Sequence, residues 1–353
     1  MNLKNILELA NEKNASDIYM VSGRPLSFKI NGKITEIGED KLLPNDTETL
    51  MREIYEHANN RSISRVTEDG DDDFSFSLPG IARFRVSAYK QRGTLAAVIR
   101  VVAFDLPDPE ELGIPEIVLK QAEKKKGLVL VTGPAGSGKS TTLSTMIDRI
   151  NKTRNSHIIT LEDPIEFLHR HNKSIVSQRE ITLDTGSYVV ALRAALRQAP
   201  DVILIGELRD SETINIAMTA AETGHLVIST LHTVGAANTI DRIVDAFPAE
   251  QQGQIRVQLG MVLQSVISQQ LVPDIDNHIL PVFEVMVVND AIKNMIRESK
   301  IHQIDSVISS SQSDGMSTMD GSLLKLYKEG RISDITALAY CTNQELMKKR
   351  LAL

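Results

Sequence analysis

The sequence predicts an α/β protein made of an N-terminal α+β domain, a central α/β domain with a parallel sheet, and a small helical C-terminal subdomain. Three observations indicate this. A period of two dominates the first hundred residues, and short apolar runs then alternate with helical stretches of about 12 residues. From about residue 287 the periodicity becomes helical. We place the domains at 1–105, 116–286 and 287–353, with a linker at 106–115.

The N-terminal domain begins with a predicted helix, because four apolar residues stand at helical spacing: Leu3, Ile6, Leu7 and Ala10. Residues 17–37 then alternate apolar and polar, and Asn31-Gly32 is a two-residue turn signal. The stretches FSFSL (74–78) and ARFRVSAY (82–89) repeat the period of two. This pattern predicts an α+β domain.

The acidic run EDGDDD at 68–73 raises the question of a calcium site. It lacks the alternating oxygen ligands, the glycine at position six and the glutamate at position twelve that an EF-hand needs. We therefore interpret the run as a solvated turn before a strand.

A linker is predicted where three prolines and a glycine interrupt both periodicities between 106 and 115. Beyond it, apolar runs of strand type alternate with helical stretches, the pattern of parallel strands with crossover helices. These runs are LVLVT (128–132), HIITL (157–161), DVILI (201–205) and LVISTL (226–231).

The composition is that of a soluble globular protein, with 42% hydrophobic and 24% charged residues among 353. No apolar run approaches the roughly 18 residues that would span a bilayer, and no export signal is visible. A formal charge of -7 disfavours nucleic acid as a partner. The single cysteine, Cys341, fits a reducing cytoplasm, and we interpret it as a small core residue.

Residues 133–140 satisfy the P-loop pattern G-x-x-x-x-G-K-[ST] in full, between a predicted strand and a predicted helix. Glycines let backbone N–H groups close around a phosphate, while Lys139 bridges the β- and γ-phosphates and Ser140 offers its hydroxyl to Mg²⁺. The sequence therefore predicts ATP with Mg²⁺. The predicted binding residues are Gly133, Pro134, Ala135, Gly136, Ser137, Gly138, Lys139, Ser140 and Thr141.

Hydrolysis also needs a group that orients or activates water. Ligands of open α/β sheets lie at the carboxyl ends of strands, so residues there are the candidates. They are Glu162, Asp163 and Glu166 after the second apolar run, Glu207 after the third, and His225 and His232 on either side of the fourth.

Glu207 is our first choice for the general base, since its extra methylene, compared with the aspartate of a standard Walker B strand, lets it reach a water at the γ-phosphate. Such a role contributes about 10²–10⁴-fold in rate. For His225 and His232, a phosphate-sensing role and a structural hydrogen bond stay equally open.

Arginines of the N-terminal domain are candidates for stabilising charge on the γ-phosphate. The strand period puts Arg83 and Arg85 on the face opposite the apolar residues, and Arg92 and Arg100 follow nearby. Solvated surface arginines are the alternative interpretation.

Four segments, in this order and spacing, resemble the Walker A, Asp box, atypical Walker B and His box of type II/IV secretion ATPases: GPAGSGKSTT, ITLEDPIEF, RQAPDVILIGELRD and TGHLVISTLHT. Within that superfamily the chain most resembles the pilus retraction ATPases (PilT family). SDIYMVSGRPLSFKINGKI resembles the family's PAS-like domain, and AANTIDRIVDAFP follows the His box. AIKNMIRES resembles the C-terminal AIRNLIRE motif, with Lys293 and Met295 in place of Arg and Leu.

The resemblance implies a RecA-like ATPase domain after the PAS-like domain, with ATP bound between the two. It implies a cytoplasmic homohexamer at the inner face of the cytoplasmic membrane, docked on an inner-membrane platform protein and driving pilus retraction. A second retraction or extension ATPase is a further possible partner.

The resemblance also assigns roles to the candidates. Glu207 matches the catalytic glutamate, and Arg85 and Arg100 match arginines that approach the γ-phosphate, whereas Arg83 and Arg92 match less well. The Asp-box matches are Glu162, Asp163 and Glu166, and the His-box matches are His225 and His232.

Extension motors and type II secretion ATPases usually carry an additional N-terminal domain and a four-cysteine metal site. This chain begins at the PAS-like segment and has one cysteine, so the resemblance favours retraction over extension. An accessory paralogue of the retraction motor stays open. The alternatives from other classes are a DNA translocase, which the Asp and His boxes disfavour, and a non-hydrolysing regulator, which the occupied catalytic positions disfavour.

Overall fold

The computed structural model describes residues 2–30, 32–58, 61–102, 106, 108–276 and 278–351. It divides into two compact units, Met1–Leu106 with Glu166–Leu168, and Pro107–Ile165 with His169–Leu353. Asn31, from the predicted turn, and Pro107, from the predicted linker, lie outside the described residues. Across the described ranges, the helices are too short or too polar to traverse a bilayer.

The first unit is built on a six-stranded sheet in which every neighbouring pair is antiparallel, in the order β3-β2-β1-β6-β5-β4. The strands are β1 Asp17–Met20, β2 Pro25–Ile30, β3 Lys33–Lys41, β4 Asp71–Leu78, β5 Ala82–Gln91 and β6 Thr94–Val102, and the helices are α1 Leu3–Glu12 and α2 Pro44–His57. Helix α1 buries the four apolar residues whose spacing predicts it. The α+β architecture is as predicted, and the PAS-like label stays a prediction.

The period of two in β5 produces the expected two faces. Ala82, Phe84 and Val86 are buried, whereas Arg85 is exposed and Arg83 partly exposed. The arginines therefore lie away from the core of the first unit.

The acidic run is not wholly solvated, and this part of the interpretation is wrong. Strand β4 begins within the run, and Asp72 points inward with 7% of its surface exposed. Its carboxylate accepts hydrogen bonds from Arg61 (2.7 and 2.9 Å) and from the Tyr55 hydroxyl (3.0 Å). Burial acts to raise the pKa of Asp72, but these hydrogen bonds outweigh burial and lower it.

The second unit is built on a seven-stranded sheet in the order β13-β12-β7-β11-β10-β8-β9. Its strands are β7 Gly127–Thr132, β8 His157–Glu162, β9 Ile175–Glu180, β10 Val202–Ile205, β11 Leu226–Leu231, β12 Leu263–Pro273 and β13 Ile279–Val287. Neighbours from β12 to β9 run parallel, and β13 is antiparallel to β12.

Helices cover both faces of this sheet and continue beyond it. They are α3 Glu116–Lys120, α4 Lys139–Thr153, α5 Tyr188–Ala195, α6 Ser211–Glu222, α7 Ala236–Asp245, α8 Ala249–Val262, α9 Asp290–Arg297, α10 Ile304–Ser310, α11 Met319–Lys328, α12 Asp334–Tyr340 and α13 Gln344–Leu351. Helices α11 to α13 share an apolar cluster around Leu323 and Met347, against which Cys341 lies half-buried.

The strand order decides where a ligand can lie. Strands β7, β11, β10 and β8 are neighbours and parallel, so their carboxyl ends meet at one edge of the sheet. The residues that follow these four strands are therefore brought together, as expected for a ligand crevice of an open α/β sheet.

Candidate nucleotide-binding site

The P-loop connects the end of β7 to the start of α4. Gly133 has φ 141°, and a Cβ there would lie 2.2 Å from the carbonyl oxygen of Gln269 and 2.7 Å from the Ser137 hydroxyl. Both the backbone conformation and the space therefore require glycine. The loop is consequently pressed against strand β12 at its first residue.

Lys139, the first residue of α4, is buried beneath the loop. Its ammonium donates to the carbonyl oxygens of Gly133 (2.9 Å) and Pro134 (2.8 Å). Ser140 and Thr141 are half-buried in the same first turn, Ser137 is buried, and the loop residues Pro134, Ala135 and Gly136 are exposed. The positive charge and the backbone N–H groups of a helix N-terminus thus lie together, which is the chemistry of an anion site.

Gln269 of β12 contacts this site, although the sequence gives no local sign of it. The Thr142 hydroxyl in α4 donates to the Gln269 side-chain oxygen at 2.7 Å, and both residues are buried. The contact joins residues 127 positions apart, so it depends on the pairing of β12 with β7 and on the packing of α4 against the sheet.

Glu207 follows β10 and lies between two basic side chains, those of Arg209 and His232. Its carboxylate is 2.5 Å from the Arg209 guanidinium and 3.5 Å from Nε2 of His232, which follows β11. The hydrogen bond from Arg209 lowers the pKa of Glu207, and its effect outweighs that of partial burial. Glu207 is therefore a carboxylate at neutral pH.

Glu162 ends β8, one strand beyond Glu207 in the sheet. It accepts hydrogen bonds from the Thr160 hydroxyl (2.6 Å) and the Gln178 amide (3.2 Å), which fix its orientation. Asp163 follows it and is exposed. The structure thus brings Glu162, Asp163, Glu207 and His232 to the sheet edge that carries the P-loop.

Tyr188 and Arg209 also belong to this edge and were not predicted. A Cβ on Gly206 would lie 2.6 Å from the Tyr188 hydroxyl, which places that hydroxyl beside the turn carrying Glu207. Burial, followed by the charges of Asp163 and Glu207, raises the pKa of Tyr188 and keeps its proton on. Arg209 is two positions after Glu207 in the segment that resembles a Walker B motif. This closeness in sequence could have predicted its contact with Glu207.

His225 does not join this group, and its role in the site stays a prediction. It precedes β11, and its backbone carbonyl accepts a hydrogen bond from the N–H of Gly127, the first residue of β7 (3.0 Å). Its Nδ1 donates to the carbonyl oxygen of Ala220 (2.9 Å). His225 and His232 are therefore at opposite ends of β11, about 20 Å apart at the rise of a strand.

The first compact unit contains three predicted site residues, Arg85, Arg100 and Glu166, and the weaker candidates Arg83 and Arg92. Arg85 of β5 and Arg100 of β6 are exposed cross-strand partners, and Nε of Arg100 donates to Asp17 at 3.1 Å. Arg92 is also exposed, in the turn between these strands. Glu166 is exposed and belongs to the short stretch 166–168 of this unit.

A cavity of about 540 Å³ opens beside the P-loop within the second unit. Thr141 and Thr142 of α4 form one wall, and Leu112, Leu271 and Leu280 give it an apolar lining. Its volume lies in the range of small-molecule sites, which are mostly apolar with a few polar groups.

The parallel sheet, the complete P-loop and the carboxylates at neighbouring strand ends define a P-loop ATPase with a RecA-like domain. The sequence matches the family described as type II/IV secretion system protein over residues 1–314. The chain belongs to this family and, within it, to the PilT family of type IV pilus retraction ATPases.

The relatives are similar over nearly their whole length. The type IV pilus retraction ATPase PilT of Pseudomonas aeruginosa is 45% identical over 333 residues, which cover 94% of this chain and 96% of that protein. The type IV pilus ATPase PilU of the same species is 39% identical over 354 residues, with 100% and 92% covered. A crystal structure of the pilus retraction motor PilT with bound ADP superposes with a TM-score of 0.89, at 44% identity and 99% coverage of each chain.

Proposed function

We propose that this chain is a motor that hydrolyses ATP to power retraction of type IV pili. The observation that carries the proposal is the shared sheet edge, where a complete P-loop stands beside Glu207 and its partner His232. The names of the relatives supply the mechanical task, since PilT is described as a pilus retraction ATPase.

The nucleotide is held by groups of the second unit. The N–H groups of the loop and of the first turn of α4 bind the phosphates, and the Lys139 ammonium neutralises part of their charge. The apolar cavity beside Thr141 and Thr142 takes the adenosine part. The nucleotide is therefore held by charge at its phosphates and by burial at its adenosine.

The residues at this edge also fit Mg²⁺. The Ser140 hydroxyl and the Glu162 carboxylate offer oxygen ligands, which this hard cation prefers. When bound, Mg²⁺ neutralises charge on the β- and γ-phosphate oxygens.

Glu207 acts on the attacking water. The lowered pKa of Glu207 keeps it ionised and able to accept a proton. His232 lies close enough to Glu207 to be affected when that carboxylate is protonated or moves. Because Arg209 contacts one carboxylate oxygen and His232 lies beside the other, Glu207 exchanges one of these partners for water during the cycle.

In the proposed assembly the chain is a homohexamer in the cytoplasm, at the inner face of the cytoplasmic membrane, and acts on an inner-membrane platform protein. Arg85 and Arg100 supply positive charge to the γ-phosphate, as their resemblance to the family implies. Glu166 and His225 keep the family's assignment to the Asp and His boxes.

The first experiment is Lys139→Ala, which removes the ammonium from the phosphate site. We expect ATP turnover to be lost, together with surface motility in cells that carry this variant as their sole copy. Lys152→Ala is the matched control, because Lys152 lies on the same helix in an exposed ion pair with Asp148. Turnover near the wild-type rate in Lys139→Ala would overturn the assignment of the P-loop.

The second experiment separates retraction from hydrolysis at helix α9. Ile292 and Ile296 are buried, whereas Lys293 and Arg297 bond only to neighbours on their own helix among the contacts described, Asp290 and Asn294. Alanine at both cationic positions should leave assembly and most ATP turnover intact but stop retraction of labelled pili. Lys300→Ala is the control, since Lys300 pairs with Glu298 just beyond the helix. Normal retraction in the double variant would show that Lys293 and Arg297 do not couple hydrolysis to retraction.

The similarity to PilU over the full chain favours one second candidate, an accessory ATPase of the same retraction system. Cells in which this chain is the only retraction ATPase distinguish the two. Retraction in those cells supports the primary motor, and its loss despite intact ATP turnover supports the accessory role.

A further inference from the structure

Glu284 of β13 is a buried carboxylate that bridges the beginnings of two helices. It is 5% exposed, and its two oxygens have different partners. Oε1 accepts from the N–H of Ala236, the first residue of α7, at 2.7 Å, and Oε2 accepts from the N–H of Met319, the first residue of α11, at 3.2 Å. One side chain thus fixes the N-termini of two helices.

The first of these helices begins where the His232 loop ends. Residues 232–235 connect β11 to α7, and the loop reaches Gly235 with φ 88°, a conformation suited to glycine. The N–H of Gly235 donates to the hydroxyl of Ser268, which is the cross-strand partner of Glu284. Two adjacent buried side chains therefore hold the end of the loop that carries His232.

The second helix leads into the C-terminal part of the chain. Asp320, the next residue of α11, is also buried and accepts hydrogen bonds from the N–H groups of Thr342 (2.6 Å) and Asn343 (3.1 Å). These residues directly precede α13. A series of carboxylates therefore runs from the His232 loop through α11 to the last helix.

The contacts of Glu284 need both oxygens to accept. Burial raises the pKa of this carboxyl, with Asp305 and Asp320 acting in the same direction, while the two backbone N–H groups act against that rise. A glutamine at this position has one acceptor, and its NH₂ group would face an N–H donor. Glutamine therefore keeps the size of the side chain but breaks one end of the bridge.

We infer that Glu284 is a positioning residue that ties the His232 loop to helix α11, so that the geometry around Glu207 and the position of the C-terminal helices change together. This inference rests on the proposed ATPase function. When the Glu207–His232 contact changes during hydrolysis, the loop that carries His232 moves the N-terminus of α7. Glu284, which bonds that N-terminus, then transmits the movement to α11.

The test compares Glu284→Gln with Asp320→Asn in the full chain. Asp320→Asn weakens the contact that starts α13 without touching the His232 loop, so it controls for general loosening of the C-terminal helices. We expect Glu284→Gln to lower kcat roughly tenfold or more while the KM for ATP stays within about twofold, because small misplacements in an active site have effects of that size. Asp320→Asn should lower the thermal midpoint comparably and leave kcat within about twofold.

A double-mutant cycle with His232→Ala tests the route through the loop. If Glu284 acts through His232, adding His232→Ala to Glu284→Gln should lower kcat much less than it does in the wild type. Independent, multiplying effects would overturn the inference, and so would equal losses of kcat in Glu284→Gln and Asp320→Asn.

Ser268→Ala is used where Glu284→Gln does not give folded protein by circular dichroism. It removes only the contact with Gly235, and the same fall in kcat, unchanged KM and non-additivity with His232→Ala are expected; unchanged kcat would overturn the inference. A wild-type chain without ATP turnover would instead refute the proposed function. A normal rate in Glu284→Gln beside an active wild type refutes this inference alone.

Discussion

Replacing Glu207 with glutamine removes a negative charge from the sheet edge while keeping the size of the side chain. A general base contributes about 10²–10⁴-fold in rate, and at about 1.36 kcal/mol for each factor of ten this is about 2.7–5.4 kcal/mol of barrier. We expect kcat to fall by at least the lower of these factors. Nucleotide affinity should change little, because the described contacts of Glu207 are with Arg209 and His232 and not with the P-loop.

The fold should also tolerate the change. Arg209 is 62% exposed, so it remains hydrated when its partner loses its charge, and an ion pair of this kind contributes less than about 1 kcal/mol. Steady-state turnover, ADP affinity by calorimetry and the thermal midpoint separate the three effects. Glu212→Gln is the matched control, since Glu212 pairs with Arg193 on an exposed surface. If ADP affinity falls as much as kcat, Glu207 has a metal-binding or structural role and the assignment as base is wrong.

Three further expectations follow from the site and the first unit. Arg85→Ala or Arg100→Ala should lower kcat more than it lowers the affinity for ADP, because ADP lacks the γ-phosphate. If kcat is unchanged and the affinities for ATP and ADP change equally, both arginines are ordinary solvated surface residues. Arg209→Ala removes the main cause that lowers the pKa of Glu207, so the base is protonated at higher pH and the acid limb of kcat against pH should move upward; an unmoved limb would show that another group titrates. Asp72→Asn should destabilise the first unit by about 3–5 kcal/mol in thermal unfolding, because it leaves Arg61 without its charged partner. Since the contacts of Asp72 lower its pKa, the difference from wild type should shrink as pH falls below the usual aspartate range.

Local patterns were sufficient for much of the fold. Helix α1 buries the residues that its periodicity marks, and β7, β8, β10 and β11 are the four apolar runs read from the sequence. These elements are specified by a hydrophobic face or by complete burial, which a single stretch of sequence displays. Strands β9 and β12 were not predicted, since both carry polar residues whose partners come from elsewhere in the chain.

The parts of the site that were not predicted depend on contacts between distant residues. Gln269 of β12 accepts a hydrogen bond from Thr142 of the P-loop helix, 127 positions earlier in the chain. Outside the site, in the first unit, the burial of Asp72 likewise depends on partners beyond its own strand, Arg61 and Tyr55. His225 lies away from the P-loop edge because it precedes β11, whereas His232 follows the carboxyl end of that strand.

The register of β12 limits how the length of this chain can vary. Ser268 and Gln269 are consecutive, so they point to opposite faces, one toward the His232 loop and the other toward α4. Inserting or deleting one residue before them would exchange their faces and break both contacts at once. Ile275 and Asp276, which follow this strand, are exposed, but their N–H groups are also bonded, to the Arg331 carbonyl oxygen (3.1 Å) and to the Asp274 carboxylate (2.8 Å). We therefore expect length differences among functional variants to be excluded from β12 before Ser268 and Gln269.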